Sequence, residues 1–182
     1  HGGLDELNLK AGMSGPVAPA EDLDPEDWER TIAVNLGSHV LSARKARPLL
    51  KQAGGGSIVS IASSAAFHGC PLRTPYAASK WSLIGLVKTL AMELGPFGIR
   101  VNAVCPGSVD GDRIEEVMAK DAKSQGKTVE EIRDGYLRQT SMRTFVAADD
   151  VANMILFLVS GSGAKISGQA LGLDGHTESF AL

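Results

Sequence analysis

Tyr76 and Lys80 stand four residues apart in Tyr76-Ala77-Ala78-Ser79-Lys80, at the head of an apolar stretch that reads as a helix to about Gly95. Positions four apart share a helix face, so the phenol and the ammonium can meet over one site. A phenol is a weak base at neutral pH, and a cation held beside it favours the phenolate. Tyr76 could then exchange a proton with a substrate oxygen as general acid or base. Ser63 lies thirteen positions earlier, at the end of the strand-like run 57–63. Its hydroxyl could hydrogen-bond the same oxygen as charge develops there. No Gly-x-Ser-x-Gly elbow or base partner marks it as a nucleophile. Asn35, in Val34-Asn35-Leu36-Gly37, sets an amide inside a helical segment.

Two further stretches complete the pattern: Arg100-Val101-Asn102-Ala103-Val104-Cys105-Pro106-Gly107, a buried strand turning out at the proline, and Gly168-Gln169-Ala170-Leu171-Gly172-Leu173-Asp174-Gly175 near the end. In type, order and spacing these residues resemble the short-chain dehydrogenase/reductase family, in its compact single-domain branch, over about residues 4–175. The resemblance implies an α/β fold, a Rossmann-like doubly wound parallel sheet of which this chain is similar to the C-terminal two-thirds. It also implies NAD(P)-dependent interconversion of a secondary alcohol and a ketone, with NAD or NADP as cofactor. In that reading Tyr76 is the acid/base, Ser63 positions the substrate oxygen, and Lys80 supports the phenolate and binds the nicotinamide ribose. Asn35 holds a water beside Lys80 and relays protons. The nicotinamide amide lies against the backbone from Pro106 and Gly107 to Val109, and Ala11 and Gly12 line the cofactor from the first strand.

The chain departs from the family pattern in three places. Leu9 and Lys10 stand where two asparagines precede Ala11-Gly12, and Gly111 replaces a threonine five residues after Pro106. A strand, Gly-rich turn and helix that hold the pyrophosphate are not found ahead of the first strand, where Gly2-Gly3 is the only glycine pair and sits too early. The first strand, within 4–12, is therefore expected to form an exposed apolar edge. Glu6 and Asn8 are out of place in a strand covered on both faces.

The elements that must position these groups are well marked. A helix is expected over 18–52, capped at Asp22 or Asp24, with Pro25 in its first turn and Trp28, Ile32, Leu36, Val40 and Ala43 at helical spacing. Residues 112–139 read as short helices forming a substrate lid within 108–146, with Gly111, Gly126 and Gly135 as hinges. A helix over 147–159 and a strand over 169–173 close the domain. His68 reads as a loop histidine near the pocket. Arg73 reads as a solvated loop arginine that could meet an acidic substrate group.

Composition bounds the remaining possibilities. A chain of 182 residues, 43% hydrophobic and 21% charged, fits one globular domain with a real core. A net charge of −3 gives no reason to expect nucleic acid or an anionic membrane. No apolar run reaches the ~20 residues of a membrane span, and no secretory signal is evident. Cys70 and Cys105 form no metal or redox pattern, so a cytoplasmic setting is expected and no metal site. The helix from Tyr76 is apolar on two sides: Leu83, Val87, Leu90 and Leu94 suit the sheet, while Ala78, Trp81, Gly85 and Met92 form a second stripe. That second stripe predicts a homodimer or homotetramer built on this helix and the one over 24–52. Two other functions share parts of this pattern: a non-catalytic form keeping only the oligomeric scaffold, and a sugar-nucleotide epimerase or dehydratase. The last is disfavoured because too few residues follow Tyr76 for a substrate domain.

Overall fold

In the computed structural model, which describes residues 3–180, four strands form one parallel sheet in sequential order: β1 Glu6–Leu9, β2 Gly56–Ile61, β3 Ile99–Pro106 and β4 Ala170–Leu173. Of the early glycine pair, Gly2 lies outside the described residues. Parallel strands need crossovers, and here helices supply them on both faces. On one face α2 (Ser38–Gln52) and α3 (Thr74–Leu94) bury Leu50, Leu83, Val87 and Leu94 against Ile58, Val101, Ala103 and Cys105. On the other, Leu158 of α6 (Ala148–Val159) packs on Val59 and Val104. The central strands β2 and β3 are therefore aliphatic on both faces, as doubly covered strands must be.

β1 differs from the expectation in its reach and in its exposed side. It spans four residues, and Leu9 is buried in the core beneath α2, whereas Glu6 and Asn8 are exposed on the other face. Among the described residues the bare face of this strand is polar rather than apolar.

The helix expected over 18–52 begins later, at Pro25, where the Asp24 side chain accepts the Glu26 N–H at 2.9 Å. Residues 20–22 form a single separate 3₁₀ turn. The helix continues as α1 (Pro25–Ile32), a π turn (Ala33–Gly37) and α2. Its buried line is not the apolar stripe. Trp28 and Val40 are exposed, while Thr31, Asn35, His39 and Ala43 face inward. The polar members of that line can be buried because each is hydrogen-bonded: Thr31 to Asp27 O at 2.7 Å, and Asn35 and His39 to groups described below.

Residues 112–138 fold as two helices, α4 (Asp112–Gln125) and α5 (Val129–Arg138), around a small core of their own made by Ile114, Val117, Met118, Ala122 and Ile132. Gly126 ends α4 at φ 65°, a conformation that favours glycine. Thr128 and Glu131 then form a reciprocal cap that starts α5. Gly135 lies inside α5 and is not a hinge. The base of this hairpin is pinned by backbone bonds between Asp110 and Val146 and between Val146 and Ser108, both 2.9 Å.

Candidate active site

Three of the four residues singled out for chemistry meet on one cavity of about 810 Å³ at the C-terminal ends of the strands: Ser63, Tyr76 and Lys80. Ser63 follows β2 and caps the short turn after it, its Oγ accepting the Ala65 N–H at 3.2 Å. That leaves the hydroxyl proton free to donate. Tyr76 and Lys80 occupy successive turns of α3, with the Lys80 Nζ 5.7 Å from the Tyr76 ring centre. Nζ donates to Ile61 O at 2.9 Å, tying the helix to the end of β2. Lys80 is only 4% exposed. Burial, reinforced by the Arg113 guanidinium, lowers its ammonium to about 8.

Asn35 does not line the cavity. Its Oδ1 accepts Met13 N–H at 2.7 Å, and its Nδ2 donates to Met13 O at 3.0 Å and Ser79 Oγ at 3.0 Å. The amide is thus spent on backbone and on Ser79, not on Lys80 directly. Oδ1 and the Lys80 Nζ do face the same side of Gly12, where a Cβ would sit 3.4 Å from the first and 3.6 Å from the second.

His39, one turn beyond Asn35, escaped the sequence reading. It is buried, with Nδ1 2.8 Å from Ser60 Oγ and Nε2 3.1 Å from Ala11 O. A carbonyl only accepts, so Nε2 carries the proton and Nδ1 accepts from Ser60. Burial, with Lys80 nearby, holds the imidazole below its usual value, although the bond to Ala11 opposes the shift. Asn35 and His39 together clamp residues 11–13, the exit from β1. The only sequence signal for this was the four-residue spacing of two polar groups on one helix face.

Of the residues assigned to the cofactor, Gly12, Pro106, Gly107 and Val109 line the cavity, while Ala11 is set back, its carbonyl held by His39. Gly107 has a packing reason to be glycine. A Cβ there would come within 2.9 Å of Asp174 Cβ, and its N–H donates to Leu173 O at 3.0 Å. Gly111, at φ 135°, precedes α4 with no side-chain cap. His68 lies off the cavity: its carbonyl accepts from the Trp81 indole at 3.3 Å and its ring meets Phe180 edge-on. Arg73, Cys70, Asp121 and Tyr136 also line the cavity. Among the described residues no group of three or more His, Cys, Asp or Glu could hold a metal, and no helix is long and apolar enough to cross a membrane.

A four-stranded parallel sheet with helices on both faces, and a cavity at its strand ends lined by Ser63, Tyr76 and Lys80, define a Rossmann-like domain. Residues 1–176 match the family model described as enoyl-(acyl carrier protein) reductase. The chain is 35% identical over 175 residues to D-beta-hydroxybutyrate dehydrogenase of Rhizobium meliloti, covering 96% of this chain and 67% of that protein. It is 38% identical over 176 residues to trans-4-hydroxycyclohexanecarboxylate dehydrogenase of Sinomonas cyclohexanicum, covering 96% and 60%. Among solved structures, NAD+-bound xylitol dehydrogenase superposes with a TM-score of 0.90 at 25% identity, over 94% of this chain and 68% of that one. The NADP-bound structure of ElxO superposes at 0.82 and 28% identity, over 94% and 66%. The chain belongs to the short-chain dehydrogenase/reductase family. It spans 60% to 67% of the length of the two dehydrogenases named.

Proposed function

We propose that the protein containing this chain interconverts a secondary alcohol and a ketone with NAD or NADP, with Tyr76 as general acid/base. The observation that carries this reading is the meeting of Ser63, Tyr76 and Lys80 on one cavity, with a buried ammonium beside the phenol ring. Its relatives are named as dehydrogenases, and solved neighbours hold NAD+ in one case and NADP in another. Two of those relatives are named for substrates that bear a carboxylate as well as a hydroxyl.

The residues present fit the nicotinamide-ribose half of such a cofactor. An ammonium has three N–H donors, and among the described residues Lys80 hydrogen-bonds only to Ile61. Two donors are left in the cavity wall for ribose hydroxyls, and Gly12, Pro106, Gly107 and Val109 offer an uncrowded backbone surface near them. When bound, the nicotinamide supplies the two-electron acceptor that takes hydride from the carbinol carbon. The chain does the rest. The Ser63 hydroxyl donates to the substrate oxygen and holds it against Tyr76. The phenolate takes the hydroxyl proton in oxidation, and the phenol returns it in reduction. Asn35 is a positioning residue in this scheme, fixing the backbone at Met13 and Ser79. Any water between its Oδ1 and Lys80 would extend the proton path. The α4–α5 hairpin covers the cavity as a lid, with Arg113 reaching Gly12 O at 3.4 Å.

The test is direct. Full-length protein is mixed with NAD or NADP and a panel of secondary alcohols, and reduced nicotinamide is followed by absorbance and fluorescence. Reduction with at least one alcohol is expected. Binding of neither cofactor in titration would favour the scaffold reading instead.

A further inference from the structure

The cavity wall beside Tyr76 carries a cation with no ion-pair partner among the described residues. Arg73 precedes α3 directly, its guanidinium carbon 4.8 Å from the Tyr76 ring centre. One terminal nitrogen donates to Ser14 O at 3.2 Å, while the buried Nε has no partner. Among the described residues no carboxylate lies within ion-pair distance of it. Asp121, a carboxylate on the same cavity wall, is engaged elsewhere: the Tyr136 hydroxyl donates to its Oδ2 at 2.6 Å. Burial and that carboxylate raise the Tyr136 phenol, which keeps it protonated as a donor.

The setting makes the unpaired charge harder to explain as structure alone. Helix N-termini attract acidic groups because the peptide dipoles point their positive end there. α3 has no side-chain cap and no acidic residue in its first turn, and it begins beside an arginine instead. Two positive features thus converge within a few ångströms of the Tyr76 ring. A planar guanidinium with free donors matches a carboxylate, and a partly buried cation gains most from a partner that shares its burial. Of the other cations on the cavity wall, Lys10, Arg113, Lys127 and Arg138 are exposed, while Lys80 is tied to Ile61 O and Arg113 reaches Gly12 O.

We infer that Arg73 is the specificity-determining residue of this site and that the substrate is a hydroxy acid or its oxo acid, with the carboxylate on Arg73 and the hydroxyl at Tyr76 and Ser63. This rests on the oxidoreductase reading for the chemistry, but not for the binding. The short distance from guanidinium to ring limits the acid to a small skeleton, a chain of a few carbons or one ring.

The experiment separates the two. On the full-length protein, binding of cyclohexanecarboxylate and of its uncharged amide is measured by calorimetry for wild type, Arg73→Gln and Arg73→Lys. In parallel, kcat/KM is compared for 4-hydroxycyclohexanecarboxylate against cyclohexanol, and for 3-hydroxybutyrate against butan-2-ol. Wild type should prefer the carboxylate in binding and the acid in turnover, by about tenfold to a hundredfold, the worth of a charged hydrogen bond. Arg73→Gln should collapse both ratios and Arg73→Lys should restore part of them. Equal binding of acid and amide by wild type, or an unchanged preference in Arg73→Gln, overturns the inference. Arg73-dependent carboxylate binding without any turnover would uphold it and sink the dehydrogenase reading. Turnover of neutral alcohols with no Arg73-dependent acid preference would do the reverse.

Discussion

Lys80 sets the electrostatics of the site, because its ammonium is buried in the cavity wall with, among the described residues, a single backbone partner. An ordinary lysine titrates near 10.5, and this one is lowered to about 8. Between those values the unfolded chain holds a proton that the folded chain has released, so stability rises with pH across that window. Below about 8 both states are protonated and the full burial penalty applies. The sign is thus opposite to that of a salt-bridged lysine. Chemical denaturation of wild type and Lys80→Met from pH 7 to 10.5 should show wild type gaining on the variant by about 3 kcal/mol at most. Parallel pH profiles would mean that the ammonium is solvated. That Tyr76, Lys80 and Ser63 meet on one cavity was legible from their spacing together with the family resemblance, because one helix and one strand end carry them. Arg73 was legible only as a loop cation. That no carboxylate among the described residues pairs with it is a property of the fold around it.

The helix formed by α1, the π turn and α2 shows what the sequence pattern hides. Apolar periodicity marks Trp28 and Val40, yet these are exposed, and the inward line is Thr31, Asn35 and His39. Periodicity cannot see that choice, because it depends on the carbonyls and hydroxyls that the β1 exit and β2 present to the helix. A π turn adds a residue to the helical repeat and recurs at functional sites; here Ser38 N–H reaches back five residues to Ala33 O around Asn35. Removing the amide leaves the Met13 N–H and carbonyl without their partner. Asn35→Ala should therefore lower stability by about 2–3 kcal/mol in urea titration. A change under about 0.5 kcal/mol would place Met13 in contact with water. The α4–α5 hairpin was legible as short polar helices, and the role of its glycines only in part. Gly126 does end a helix, whereas Gly135 lies within one, since nothing in a lone glycine says which side of a helix end it falls.

At the scale of the molecule, the parallel sheet, its helical layers and the family were all legible, because doubly covered strands and the Tyr76–Lys80 spacing are local signals. The strand that differed from expectation was β1, where Glu6 and Asn8 are exposed among the described residues while Leu9 is buried. The second stripe of α3 is bare among the described residues: Trp81 is 53% exposed and Met92 82%, and nothing lies near Gly85. Beside it, Val40, Ala43, Leu86 and Leu90 line a groove of about 470 Å³ between α2 and α3. Apolar surface of this kind favours a partner, and small residues at 78 and 85 let a second helix approach closely. Light scattering at micromolar concentration should find a dimer or tetramer that Gly85→Arg dissociates, and a stable wild-type monomer would refute the interface.

The central claim is that the Tyr76 hydroxyl carries the proton of the reaction. It is tested by comparing wild type and Tyr76→Phe in the full-length protein, measuring kcat for alcohol oxidation beside cofactor affinity. The phenyl ring keeps the packing and loses only the acid/base group. The account predicts that kcat falls by about 10²–10⁴-fold while the affinity for NAD or NADP stays within a few fold. A Tyr76→Phe enzyme with wild-type kcat would contradict it and assign the proton transfer to another group.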